Sequence, residues 1–494
     1  MITYQHAVEK LLELGHELHA TPSNKFDLAY VRVMLDALSH PERRFAAVLI
    51  AGTNGKGSTA ATLESILRAA GHRTALYTSP HLVRVNERIQ VDGEEITDAE
   101  FAVVYDRVEA VVQDLLAKDT LPWHPSFFEM LTVMAFEYFA MSGVQIAVLE
   151  VGMGGRLDAT NVVEPIVAVI TDVALDHQRF LGDTITQIAR EKAGIIRPGG
   201  IVVTLPQHPQ ANDVIGNTIL DRGATAITAV PYVPPVSPGA DLNGRGVSNL
   251  KGHGSSDLKG HGFSRANTGQ KDGGALAPEG PDPSRNVERE TRNVYPLMVQ
   301  GQQILVDSPL LGRHQLRNIA LAIAAAEQVN NFGFRVIAQD IERGIRDTRW
   351  RGRFQRLAPH DAWPEIILDV AHNPAGAWAL RSTLSECVGE RPLTFVFGAM
   401  RDKAIAEIAE ILFPLAAHVI ATHAHNPRAA TPDEIRHAAA RAAADIEPAD
   451  SVPAALDRAR DLAGSHGLIV VTGSIYIVGE ALAVLSRQLA ARQV

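Results

Sequence analysis

The run Phe45-Ala-Ala-Val-Leu-Ile-Ala51 passes without a break into Gly52-Thr-Asn-Gly-Lys-Gly-Ser58, and no other feature constrains this chain as tightly. An apolar run of that length reads as a strand buried on both faces. Beyond the loop, Leu63, Ile66, Leu67 and Ala70 recur at helical spacing and stop at Gly71, a residue suited to closing a helix. Strand, glycine-rich turn and helix in that order predict an open α/β sheet that gathers its ligand at the strand ends. The N–H groups of such a turn and the positive end of the helix face an anion. Lys56 adds a full charge, and Ser58 stands where it can reach a magnesium ion. The strict phosphate-loop pattern is not met, because Gly57 follows the lysine and Ile50 holds the place of the first glycine. A structural turn would account for the glycines but not for a lysine among them. Nucleotide binding accounts for both.

Further runs of the same kind follow at Val144–Val151, Ile166–Thr171 and Gly200–Leu205, separated by helical stretches at Phe127–Met141 and Thr184–Ala193. A second series begins at Ile366-Ile-Leu-Asp-Val and continues at Leu393–Gly398, His418–Thr422 and Gly467–Gly473. The prediction is a phosphate-loop, doubly wound α/β ATPase domain over residues 1–348, then a smaller Rossmann-like α/β domain over 349–494. Between about 233 and 293, Pro, Gly, Ser and Asn dominate and Leu-Lys-Gly-His-Gly occurs twice. That stretch reads as a solvated insertion, since two isolated histidines among glycines make a poor metal site.

A chain of 494 residues with 46% apolar residues can build two or three packed cores. Its net charge of −10, with no basic stripe, argues against nucleic acid as a partner. Anionic substrates would then need cations gathered locally, from Lys, Arg or bound metal. The lone cysteine, Cys387, excludes an intrachain disulfide and fits a reducing cytoplasm. No apolar run approaches the ~20 residues of a membrane span, and the amphipathic N-terminus carries no signal-peptide pattern. A soluble, cytoplasmic monomer with no membrane partner is expected.

Polar residues cluster just after the strand-like runs, where such sheets bind ligands. Glu150 ends one run and precedes Gly152-Met-Gly-Gly-Arg-Leu-Asp-Ala-Thr-Asn161. A carboxylate beside a phosphate loop is a natural magnesium ligand. His177 follows another run, although a lone histidine is more often a packed residue. Lys192 closes a helix, where the dipole alone explains a cation. Asp369-Val-Ala-His-Asn-Pro374 and Gly473-Ser-Ile-Tyr476 occupy the same kind of position in the second series, facing a shared cleft if the strand ends meet.

Together these motifs resemble the dihydrofolate synthase/folylpolyglutamate synthase family, within the Mur-ligase-like superfamily. The likeness rests on Gly52–Ser58, Thr78-Ser-Pro-His-Leu82, Asn86-Glu-Arg-Ile89, Glu150–Asn161, Asp176-His177, Glu191-Lys-Ala-Gly-Ile195, Gly312-Arg-His-Gln-Leu-Arg-Asn318, Gly352-Arg353, Asp369–Pro374 and Gly473–Tyr476. It runs from the first helix almost to the end, apart from the insertion. The resemblance implies that Asn54, Gly55, Lys56, Gly57 and Ser58 hold the phosphates of ATP, with Asn318, Arg353 and Asp369 contacting the nucleotide from across the cleft. It implies two Mg²⁺ sites, with Ser58, Ser79 and Glu150 at one and His177 and Lys192 at the other; Lys192 occupies a position N-carboxylated in many relatives, and a monovalent cation is a further candidate. Thr21, Pro22, Ser23 and Asn24, then Ser126, Phe127, Phe128 and Glu129, then Leu157, Asp158 and Ala159, match segments that hold the pterin. His372 and Ser474 fall near the glutamate end and, with Lys56 and Lys192, make up the implied catalytic set. The segment Gln178-Arg-Phe departs from the family pattern and leaves substrate preference open.

The implied activity is ATP-dependent joining of L-glutamate to dihydropteroate and to reduced folates through an acyl phosphate. A polyglutamylating enzyme alone is the nearest alternative. A Mur-type peptidoglycan ligase would need a UDP-binding domain, and only 44 residues precede Phe45. A phosphate-loop NTPase switch would leave the Asp369 and Ser474 motifs unexplained.

Overall fold

The computed structural model describes residues 2–15, 28–235, 292–360, 363–442 and 445–490. The expected pterin segment Thr21–Asn24 and all but the ends of the 233–293 insertion lie outside them.

Eight strands form the first sheet: β1 (Ala46–Ala51), β2 (Thr74–Tyr77), β3 (Ile89–Val91), β4 (Glu94–Glu95), β5 (Ile146–Glu150), β6 (Val167–Ile170), β7 (Ile201–Thr204) and β8 (Thr225–Thr228). Their spatial order is β4-β3-β2-β5-β1-β6-β7-β8. Strand β1 pairs in parallel with β5 on one side and β6 on the other, and only β3 and β4 run antiparallel to their neighbours. The chain builds leftward from β1 and then returns to build rightward, so the order reverses beside β1. Ligands settle in the crevice beyond such a reversal.

Why β1 is apolar throughout follows from its two faces. Ala47, Leu49 and Ala51 enter one core with the helices Asp98–Ala117 and Phe127–Met141. Val48 and Ile50 enter the other, with the helices Lys56–Ala69, Arg313–Gln328 and Ala338–Arg346. Alternation at period two sends neighbours to opposite sides, and both sides are dry. The alanines of Arg313–Gln328 let the middle of that helix sink into the second core, and Gly344 allows close approach, since a Cβ there would stand 2.3 Å from Ile66 Cα. A hairpin of β9 (Asn293–Val299) and β10 (Gln302–Ser308) covers the same side, with Tyr295, Leu297, Val299, Ile304 and Val306 turned inward.

The second sheet contains β11 (Gln355–Leu357), β12 (Glu365–Leu368), β13 (Leu393–Phe397), β14 (Ala416–Ala421), β15 (Ile446–Pro448) and β16 (Leu468–Thr472). Its order is β11-β12-β16-β13-β14-β15, parallel except for β11. This is the expected α/β class in both parts: a larger doubly wound sheet, then a smaller Rossmann-like one.

The helix Lys56–Ala69 starts inside the loop motif, ahead of Leu63, the first of its spaced apolar residues. Gly55, at φ 87°, turns the chain sharply enough for Lys56-Gly57-Ser58 to form the first turn. Behind that turn lies the segment that joins the two sheets. The Trp350 ring covers Gly57, Arg351 pairs with Glu87 and Glu95, and Gly352, at φ 70°, fits against Leu82 and Val370.

Gly57 is helical, so alanine suits its backbone, yet a Cβ would stand 2.8 Å from the Trp350 ring. Overpacking of this kind costs about 1–3 kcal/mol. Gly57→Ala should therefore lower the unfolding free energy read from urea titration by that amount, and in a Trp350→Leu background the same change should cost almost nothing. Equal losses in both backgrounds would show that the ring is not what the methyl meets.

Candidate active site

One cavity of about 1160 Å³ lies between the C-terminal ends of the two sets of strands. Each described residue singled out from the sequence borders it. Asn54, Gly55, Lys56, Gly57 and Ser58 form its floor, with Ser79, Glu150, His177 and Lys192 beside them. Ser126, Phe127, Phe128, Glu129, Leu157, Asp158 and Ala159 make one wall, and Asn318, Arg353, Asp369, His372 and Ser474 the opposite side.

The loop is pinned to the end of β6. The N–H groups of Thr53 and Asn54 donate to Asp172 O at 2.8 and 3.2 Å, and Thr53 Oγ1 donates to Ala174 O at 3.1 Å. At Gly55 a Cβ would come within 2.2 Å of Asn318 Oδ1, so only glycine lets the far helix approach the turn. Lys56 Nζ donates to Thr53 O at 3.3 Å and stands 4.0 Å from Glu150 Oε1. Glu150 is buried, and its Oε2 accepts from Ser79 N at 3.2 Å. Burial raises its carboxyl, opposed by Lys56, the Ser79 N–H, Arg353 and Arg88.

His177 sits at φ 50°, and its Nδ1 is buried with no hydrogen-bond partner. Burial pushes the ring down to about 3, with Lys403, His372 and Lys56 acting in the same sense and Asp176 against it. A neutral imidazole with an unused ring nitrogen suits a metal ion. Lys192 is buried too, and its Nζ donates to Gly52 O at 2.7 Å. Burial, with help from Lys56, pushes this amine down to about 7. Among the described residues no group of three or more His, Cys, Asp or Glu side chains could hold a metal by itself. The donors suit Mg²⁺, which keeps waters and phosphate oxygens in its shell and takes few protein carboxylates.

Across the cleft, Arg353 is half-buried and its only hydrogen bond among the described residues runs from Nη1 to Gly352 O at 3.3 Å. Burial lowers its pKa, opposed by Asp369 and Glu150. A guanidinium drawn partly out of water without an ion pair is costly unless an anion joins it. Asp369 accepts from the N–H groups of Phe354 and Ala371 at 2.8 and 2.9 Å, tying the joining segment to the end of β12. His372 Nδ1 lies 2.9 Å from Val370 O, and Ser474 Oγ accepts from Tyr476 N at 3.1 Å.

Several residues on the wall expected to hold the pterin are occupied locally. Ser126 and Glu129 form a capping box, with Ser126 N and Oγ both donating to Glu129 Oε2 at 2.8 and 2.7 Å. Buried Asp158 accepts from Met153 N at 2.9 Å and from Thr160 N at 3.0 Å. Phe128 and the half-exposed Leu157 are left to face the cavity.

Sequence reasoning did not find the contact that joins the two sides. Asp176 accepts from Lys403 Nζ at 2.6 Å and stands 3.4 Å from His372 Nε2. Asn373 Nδ2 donates to Asn54 Oδ1 at 3.0 Å, while its Oδ1 accepts from Gly376 N at 2.8 Å and caps the next helix. Burial works to raise the Asp176 carboxyl, but His372, His177 and Lys403 overcome it and hold it well below the carboxylate range. The Asn-Pro pair of Asp369–Pro374 signals a helix start, but nothing in Met400-Arg-Asp-Lys403 signals a partner more than 200 residues away.

Two family models match along this architecture. Residues 50–219 match the Mur ligase middle domain, and residues 352–475 match the Mur ligase glutamate ligase domain. The chain is 32% identical over 522 residues to the dihydrofolate synthase/folylpolyglutamate synthase of Mycobacterium tuberculosis, covering 97% of this chain and 95% of that protein. It is 32% identical to a probable bifunctional folylpolyglutamate synthase/dihydropteroate synthase of Haloferax volcanii, of which it spans 47%, about half the length. The crystal structure of Mycobacterium tuberculosis folylpolyglutamate synthase complexed with ADP and AMPPCP superposes with a TM-score of 0.75 at 29% identity, covering 97% of this chain and 98% of that one. The chain belongs to the dihydrofolate synthase/folylpolyglutamate synthase family. Among the described residues no helix is long and apolar enough to cross a membrane.

The depressed Lys192 has a consequence for stability. Titrating near 7 when folded and near 10.5 when unfolded, it binds fewer protons in the folded chain across that interval. Stability should therefore rise with pH above about 7, by up to about 1.4 kcal/mol per unit from this group. In Lys192→Met that increment should vanish, as read from urea midpoints at the two ends of the interval.

Proposed function

We propose that this chain is an ATP-dependent ligase that joins L-glutamate to dihydropteroate, and further glutamate to reduced folates, through an acyl phosphate. The observation that carries this reading is the half-buried Arg353 guanidinium, without an ion pair among the described residues, facing a phosphate loop across the cavity. Membership of the family supports it, as does the relative complexed with ADP and AMPPCP.

A carboxylate is a poor electrophile. Transfer of the γ-phosphoryl group of ATP to the acceptor carboxylate gives an acyl phosphate and ADP. The glutamate amine then attacks the acyl carbon, and phosphate leaves as the amide forms. The N–H groups of the loop, Lys56 and Arg353 stabilise charge on the moving phosphoryl group. Ser58, Ser79 and Glu150 would hold one Mg²⁺ and His177 a second, and the metal would supply further neutralisation of phosphate charge. A partly neutral Lys192 amine, set beside the loop, is chemically ready for N-carboxylation, which would turn a buried cation into an anion on the side of His177. His372 and Ser474 position the glutamate end, and the joining segment around Arg353 closes the two sides to keep water from the acyl phosphate. The protein acts as a monomer in the cytoplasm.

With dihydropteroate and tetrahydrofolate supplied separately, ATP and glutamate should yield products one glutamate heavier from each. Product from tetrahydrofolate alone would identify a purely polyglutamylating enzyme. ADP release indifferent to acceptor and glutamate would end the ligase reading. Arg353→Met should lower kcat by about 10²–10³-fold, the effect of removing a donor to transition-state charge.

A further inference from the structure

His314 borders the cavity but has no part in the scheme above. It lies four residues before Asn318 on the helix Arg313–Gln328, so the two share a face one turn apart. Asn318 reaches the phosphate loop at Gly55, which places His314 next along the same wall. Its ring is held from behind. Gly312, at φ 97°, leaves room there, since a Cβ would stand 2.8 Å from His314 Cε1 and 2.4 Å from Thr383 Oγ1 of the helix Pro374–Cys387. Among the described residues no side chain or backbone group hydrogen-bonds to the ring, whose Nδ1–Cε1 edge lies over Gly312 while the residue borders the cavity. Burial and the Arg353 charge push it down to about 4, with Asp172 opposing, so it is neutral near pH 7.

We propose that His314 is a specificity-determining contact to the nucleoside part of the bound nucleotide, offering one hydrogen-bond donor and one acceptor beside Asn318 and Arg353. This rests on the nucleotide reading of the cavity. A phosphate calls for charged donors, and Lys56 and Arg353 already supply them. An uncharged ring with one donor and one acceptor adds little to a phosphate. It matches a group that also carries both, such as a purine edge or a ribose hydroxyl. Because the ring is fixed before the ligand arrives, little ordering cost accompanies the contact.

The test compares the wild type with His314→Ala and His314→Gln by calorimetry, using MgADP and inorganic pyrophosphate as probes. Loss of one such hydrogen bond should weaken ADP about tenfold in His314→Ala, leave pyrophosphate within about twofold, and be partly restored by glutamine, which keeps a donor and an acceptor. KM for glutamate and for the pteridine acceptor should not move. The loss should shrink for 2′-deoxyADP if the ribose is the partner, and for GDP if the base is. Equal weakening of ADP and pyrophosphate would overturn the proposal, as would unchanged ADP affinity with a raised KM for glutamate. A wild type that binds no ADP would instead overturn the nucleotide reading itself. If the alanine variant fails to melt cooperatively, the glutamine variant and a His314→Phe variant carry the same comparisons.

Discussion

The two halves of the site are brought together by a carboxylate on one side of the cleft. Asp176, beyond β6, accepts from Lys403 in the turn that follows β13, and both are nearly withdrawn from water. Breaking such a pair leaves a buried charge uncompensated, typically at about 3–5 kcal/mol. The pair therefore acts less as a source of stability than as a condition on geometry: it is satisfied in one arrangement of the two sheets. In that arrangement Asn373 reaches Asn54 of the phosphate loop, and Arg353 comes to face the same space as Lys56 and Glu150.

Charge shows why burial matters here. The chain is acidic overall, at −10, yet Lys56, Lys192, Arg353 and Lys403 all border the cavity. Only Lys403 has a close carboxylate partner, while Lys56 stands 4.0 Å from one. Lys192 spends its proton on a backbone carbonyl, and Arg353 likewise. Positive charge concentrated in a low-dielectric cleft of a negative protein attracts a polyanion more strongly than the same groups on the surface would.

Much of this was legible in the sequence because the signals were local. The strand–loop–helix succession places the phosphate loop, and the repeated apolar runs give the parallel sheets, since a strand buried on both faces must be apolar throughout. Residues in motifs at strand ends, such as Glu150, His177 and Asp369, lie where that rule puts them. What escaped was long-range or double in purpose. Lys403 resembles a surface lysine until Asp176 is placed beside it. Trp350 reads as one more apolar residue, and only the bare backbone of Gly57 shows why its ring lies there. Ser126 and Glu129 read as pterin contacts by resemblance, and the structure shows them capping the helix that the apolar spacing places at Phe127–Met141. Capping means their polar atoms are largely committed to each other.

That commitment shapes what the wall can distinguish. With Ser126, Glu129 and Asp158 closed upon themselves, the surface they leave to a flat heterocycle consists mostly of carbon: the ring of Phe128 and the side chain of Leu157. Carbon surfaces judge thickness and outline, and they discriminate only weakly between polar groups at a ring edge. Such a side would sort ligands by flatness and width, and discrimination by hydrogen bonding falls to whatever closes over the opposite face.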